Sequence, residues 1–129
     1  MNSSEKSPFS FKKRASSFRY AFKGLRIFFS TQHNAWVHAF IAVLVIAFGI
    51  FLKITAIEWI LISFSIGLVL LTEMINTAIE FLVDKISPGF NEQAGTIKDL
   101  AAGSVLLASI TSAIVGLIIF LPKLLKIVV

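Results

Sequence analysis

Three apolar runs, at about 35–52, 56–83 and 100–121, fill most of a chain of only 129 residues. Each approaches or exceeds the ~20 residues that an α-helix needs to cross a hydrocarbon layer about 30 Å thick. With 57% apolar residues and a mean hydropathy of +0.88, the composition excludes an ordinary soluble domain. The expected fold is all-α and integral to a membrane: three transmembrane helices in a single domain over 10–129, preceded by a polar, disordered N-terminus over 1–9. The middle run exceeds ~20 residues, and its polar end argues that it extends out of the bilayer rather than tilting within it.

The net charge of +5 is distributed in a way that points to a membrane, not to nucleic acid. Lys6, Lys12, Lys13, Arg14, Arg19, Lys23 and Arg26 precede the first span, and Lys85 and Lys98 flank the second loop. Only Lys53, Lys123 and Lys126 fall on the opposite side. By the positive-inside rule the N-terminus and the second loop are cytoplasmic. Over about 10–30, Phe11, Phe18, Phe22, Leu25 and Phe29 recur at helical spacing with cations in other directions, the pattern of an amphipathic helix on anionic headgroups. No cleavable signal is expected, because the first apolar run starts only after about 34 residues. The absence of cysteine excludes thiol catalysis and thiolate metal sites.

Within the middle run, Glu73-Met-Ile-Asn76-Thr77-Ala-Ile-Glu80-Phe-Leu-Val-Asp84 carries three carboxylates. An ionisable group at membrane depth costs roughly 2.5–3.5 kcal/mol on insertion scales, so it marks chemistry, ion binding or pairing. At roughly 100° per residue, Glu73, Asn76, Thr77, Glu80 and Asp84 share one face. The result is a polar seam about 16 Å long that opens towards the cytoplasm. Lys98 and Asp99 follow a loop with turn chemistry at Pro88-Gly89 and Gly95, and Thr96 or a neighbour is expected to cap the third span. The small residues Ala101, Ala102, Gly103 and Ser104 permit close helix approach, bringing Lys98-Asp99 near the seam.

Carboxylate and amide oxygens suit Mg²⁺, which takes one or two carboxylates and completes its shell with phosphates and water. A lysine supplies a point charge for phosphate, and a partly buried glutamate can act as general base on an alcohol. The set fits phosphoryl transfer. A small oligomeric channel carrying protons or cations past Glu73 and Glu80 is the alternative of a different class, but a pore needs neither Lys98-Asp99 nor a basic surface helix. His33 and His38 lie five apart, on different parts of a helix, so a metal site built from both is not expected. Trp36 is expected as an interfacial anchor, and Glu58 and Trp59 at the far interface are expected only to position the helix.

The motif Glu73-x-x-Asn76-Thr77-Ala-Ile-Glu80-x-x-Val-Asp84, with Lys98-Asp99-Leu-Ala-Ala-Gly-Ser-Val and Tyr20-Ala-Phe-Lys23-Gly24-Leu25-Arg26, resembles the small prokaryotic diacylglycerol kinase family, which includes undecaprenol kinases. The resemblance covers roughly residues 10–121. It implies a homotrimer in the bacterial inner membrane, with sites composed between chains, that moves the ATP γ-phosphate to a lipid alcohol. On this resemblance Glu73 corresponds to the general base and Asn76 to its polar neighbour. Glu80 corresponds to a Mg²⁺ ligand, Lys98 and Asp99 to nucleotide contacts, and Tyr20 to a further nucleotide contact; Lys13, a cation of the same surface helix, is expected to join them at the nucleotide phosphates. Thr77 and Asp84 complete the motif, Asp84 holding the helix end. Family members typically carry a second metal-binding glutamate where this chain has Gln32, and a basic residue where it has Trp36. Glutamine keeps the oxygen and loses the charge, which implies weaker metal binding, compensation by a ligand such as His33, or an inactive lipid-binding paralogue. The pattern Asn34…His38 is similar to the undecaprenol kinase branch, so undecaprenol is favoured over diacylglycerol as acceptor.

Overall fold

The computed structural model describes residues 11–128, with the side chains of Lys12, Lys13 and Val128 set aside. The expected disorder of 1–9 and the role given to the Lys13 side chain therefore lie outside the described residues. Four helices follow one another: α1 (Phe11–Thr31), α2 (His33–Phe51), α3 (Ala56–Ile86) and α4 (Glu92–Val128). The last three are long and apolar enough to cross a membrane, as the three apolar runs require.

Each break has a local cause. Gln32, in extended conformation (φ −108°, ψ 111°), separates α1 from α2. Across it, Trp36 Nε1 donates to the Phe29 carbonyl at 2.7 Å, and the two rings meet edge to face at 5.6 Å. Trp36 thus ties α1 to α2. Between α2 and α3, Lys53 takes a left-handed conformation (φ 49°) and Ile54 N–H bonds back to the Gly49 carbonyl at 3.1 Å. Thr55 then opens α3 with a reciprocal capping box: its hydroxyl accepts from Glu58 N–H at 3.3 Å, and its own N–H donates to Glu58 Oε2 at 2.7 Å. Glu58 Oε1 also accepts from Lys123 Nζ at 3.1 Å, linking the start of α3 to the end of α4. The expectation that Glu58 serves position alone is extended by these bonds.

The third span starts earlier than 100 and is capped elsewhere than expected. Asn91 precedes α4 and accepts from Ala94 N–H through Oδ1 at 3.0 Å, while Thr96 lies inside the helix and bonds back to the Glu92 carbonyl at 3.0 Å. Asn is among the strongest N-caps, and with Asn91 before the helix residues 92–96 of the loop enter it. At 31 residues α3 is about 46 Å long, and at 37 residues α4 is about 55 Å, so both pass beyond a hydrocarbon core of about 30 Å.

Packing is uneven. In lipid the apolar faces gain little from meeting one another, so close approach depends on small residues and interhelical hydrogen bonds. On α4 the buried positions Ala101 and Ala108 are one heptad apart, and Ser112 Oγ donates to the Ser65 carbonyl of α3 at 3.1 Å. Ala102 and Gly103, expected at the contact, are exposed. At the end of the bundle away from the polar seam, Ile54, Ile62 and Ile119 form an apolar cluster with Trp59 packed against it. Trp59 lies against Gly49 so closely that a Cβ there would come within 2.8 Å of its Cη2 atom. Glycine at this position allows the α2–α3 hairpin to close.

Candidate functional site

The buried face of α3 runs Ile62, Val69, Glu73, Asn76, Thr77, changing from apolar to polar without leaving one side of the helix. Glu73 and Thr77 are each 5% exposed and Asn76 is 9% exposed. One turn on, Glu80 is half-buried, and Asp84 at the helix end is exposed. The polar seam therefore runs from interior at Glu73, Asn76 and Thr77, through Glu80, to surface at Asp84.

Three polar pairs sit along it. Deepest, His38 Nε2 of α2 lies 3.0 Å from Glu73 Oε1. Taking an isolated carboxylate out of water costs several kcal/mol, and a hydrogen-bond donor on a second helix offsets part of that cost. Next, Asn76 Nδ2 donates to Glu80 Oε1 at 3.0 Å, the i,i+4 geometry of one helix face. Asn76 Oδ1 is buried with no hydrogen-bond partner. At the outer end Lys98 Nζ of α4 donates to Asp84 Oδ1 at 2.9 Å, with both side chains substantially exposed. Thr77 Oγ1 bonds back to the Glu73 carbonyl at 2.9 Å and so fixes its own rotamer, leaving the Glu73 carboxylate to other donors.

Of the residues singled out in the sequence, Glu73, Asn76, Thr77, Glu80, Asp84 and Lys98 are gathered in this way. Asp99 is exposed beside Lys98, and Tyr20 is 66% exposed on α1. Gln32 is half-buried as the residue before α2, and its side chain makes no capping bond. His38 was missed as a site residue. Its signal was a histidine just inside an apolar run, but its partner is 35 residues away. His33, by contrast, is exposed.

Below His38 a cavity of about 290 Å³ opens between α2, α3 and α4, with walls that are almost wholly apolar. His38, Ala42, Val45, Val69, Ala113 and Gly116 are among the residues that line it, with Ser65, Ser109 and Ser112 as further polar residues in its wall. Cation ligands are sparse: among the described residues no three histidines, cysteines or carboxylates form a group able to hold a metal. The Glu80 carboxylate and the unpartnered Asn76 oxygen are hard oxygen donors one turn apart. Such a set fits Mg²⁺, which is commonly held by one or two carboxylates with phosphates and water doing the rest.

A bundle of membrane-spanning helices with a buried carboxylate seam at one end and an apolar cavity beneath it defines a class of integral membrane protein with a polar reaction centre. The family model for prokaryotic diacylglycerol kinase matches residues 19–120, and the chain belongs to that family. A diacylglycerol kinase of Synechocystis is 41% identical over 114 residues, covering 88% of this chain and 65% of that relative. An undecaprenol kinase of Bacillus subtilis is 40% identical over 108 residues, covering 84% of this chain and 88% of the relative. A diacylglycerol kinase of Escherichia coli K12 is 32% identical over 95 residues, with 74% and 78% covered. The chain thus spans just under two thirds of the Synechocystis protein and most of the other two.

Proposed function

We propose that this protein is a membrane lipid kinase that transfers the γ-phosphoryl group of ATP to the primary hydroxyl of a lipid alcohol, with undecaprenol favoured over diacylglycerol. The observation that carries the reading is Glu73: a carboxylate buried in a membrane helix and paired across to His38 of α2, which itself lines an apolar cavity. An acceptor whose hydrocarbon chain lies in that cavity presents its hydroxyl where a base stands. Family membership supports the reaction class, and both acceptor lipids occur in the names of relatives.

In this reading Glu73 takes the hydroxyl proton as the alcohol oxygen attacks the γ-phosphorus; the bond from that phosphorus to the β,γ-bridging oxygen breaks and ADP departs. Lys98 meets the nucleotide phosphates from the cytoplasmic end, releasing Asp84 to do so, and Asp99 and Tyr20 contact the rest of the nucleotide. Glu80 with the Asn76 oxygen, and Gln32 more weakly, would hold Mg²⁺, which when bound screens the phosphate charge. Asn76 also keeps Glu80 oriented, and Thr77 holds the helix backbone behind Glu73. The basic α1 lies on the cytoplasmic face of the inner membrane, and three copies assemble.

The test is phosphate transfer from labelled ATP in mixed micelles, offered undecaprenol and diacylglycerol separately with and without Mg²⁺. The reading predicts Mg²⁺-dependent transfer, faster to undecaprenol. Exclusive transfer to diacylglycerol would overturn the acceptor assignment, and no transfer to either by folded protein would favour the inactive paralogue.

A further inference from the structure

We infer that His38 is a positioning residue for Glu73, tying one carboxylate oxygen to α2 so that the other is presented to the acceptor hydroxyl. The inference rests on the kinase reading above. Its geometric basis is the 3.0 Å contact between His38 Nε2 and Glu73 Oε1.

The neighbours of Glu73 on its own helix are committed elsewhere. The Thr77 hydroxyl bonds to the Glu73 main-chain carbonyl at 2.9 Å, and the Asn76 amide nitrogen bonds to Glu80 Oε1 at 3.0 Å. Among the described residues, the imidazole is the group that holds the carboxylate. An imidazole Nε2 that carries hydrogen donates to the carboxylate oxygen at this distance and holds it. A glutamate has three rotatable side-chain bonds, and a base that wanders among rotamers spends little time in line with its proton. Bonding Oε1 to a different helix removes that freedom and leaves the Oε2 lone pairs for the alcohol. His38 also lines the apolar cavity as its one titratable residue among those described, so the tie is made where a hydroxyl on a chain in the cavity would arrive.

The experiment compares the full chain in mixed micelles as wild type, His38→Leu, His38→Gln and His38→Asn, each also in the Glu73→Gln background. Steady-state kinetics are measured in both acceptor and ATP, with chromatographic profile and melting temperature as checks of folding. A positioning role predicts that His38→Leu lowers kcat roughly 10- to 100-fold with little change in either KM. His38→Gln, which keeps an N–H at the ε position, recovers most of the loss, and His38→Asn, whose amide falls short, does not. In the Glu73→Gln background His38→Leu costs nothing further, because the pair acts as a unit. If His38→Leu does not fold, the Gln and Asn variants carry the comparison. Unchanged kcat in His38→Leu, a glutamine variant as slow as the asparagine one, or equal losses in both backgrounds would overturn the inference. An inactive wild type would instead overturn the kinase reading itself.

Discussion

At the scale of single residues the account turns on how α3 graduates its carboxylates. Helical spacing alone places Glu73, Asn76, Thr77, Glu80 and Asp84 on one face, and the structure adds a depth to each, from 5% exposed at Glu73 to surface at Asp84. That depth decides chemistry: a carboxylate shielded from water suits a base, whereas Asp84, exposed beside Lys98, suits a reversible ion pair. His38 was not legible because nothing local in the sequence says which of many apolar-run residues it faces; only the crossing of α2 against α3 supplies that. Gln32 carries the residue-scale prediction. In the metal site we propose, Gln32→Glu adds a charged oxygen to the Glu80 and Asn76 donors, and the Mg²⁺ concentration giving half-maximal transfer should fall by roughly tenfold, about 1.4 kcal/mol in binding. An unchanged Mg²⁺ requirement in a titration of activity would place Gln32 outside the metal site.

At the scale of elements, the α2–α3 hairpin and the cavity make separate predictions. Trp59 leaves no room for a side chain on Gly49, where a Cβ would also lie 3.1 Å from Ile54 Cδ1. Gly49→Val should destabilise the chain by about 1–3 kcal/mol, the usual cost of overpacking, visible as a lower melting temperature in detergent. Gly116 is the converse case: it lines the cavity, and a Cβ there meets nothing within 4 Å. Gly116→Leu should fold, occupy the space and raise the KM for the lipid acceptor several-fold while the KM for ATP stays put; equal acceptor kinetics would remove the cavity from the site. The helices themselves were readable because each apolar run is long and bounded by polar turns. Their ends were less so. Asn and Thr are both N-cap types, and residue type alone does not say whether 92–96 join α4 or stay in the loop. The small-residue stretch after Asp99 was read as a contact, but only Ala101 of its first three residues faces inward, since a helix presents one residue in three or four to a neighbour.

The whole molecule is asymmetric along its length. One end is fastened by Glu58 with Lys123 and by the isoleucine cluster; the other carries the graded seam, the α1–α2 junction and the basic residues. In the orientation we propose from the charge distribution, the seam end is the cytoplasmic one. In the trimer we propose, nucleotide and acceptor groups of one site come from adjacent copies. Mixing inactive Glu73→Gln protein with inactive Lys98→Ala protein and reconstituting them together should then recover part of the activity, because some sites receive both intact residues; no recovery would show each site to be complete within one chain. The most direct measurement of the central claim is the rate of phosphate transfer by Glu73→Gln against wild type, at saturating ATP and acceptor, with nucleotide binding followed in parallel. The account predicts that kcat falls at least about 100-fold, the usual contribution of a general base, with nucleotide binding intact. Retention of wild-type kcat by folded Glu73→Gln would contradict it.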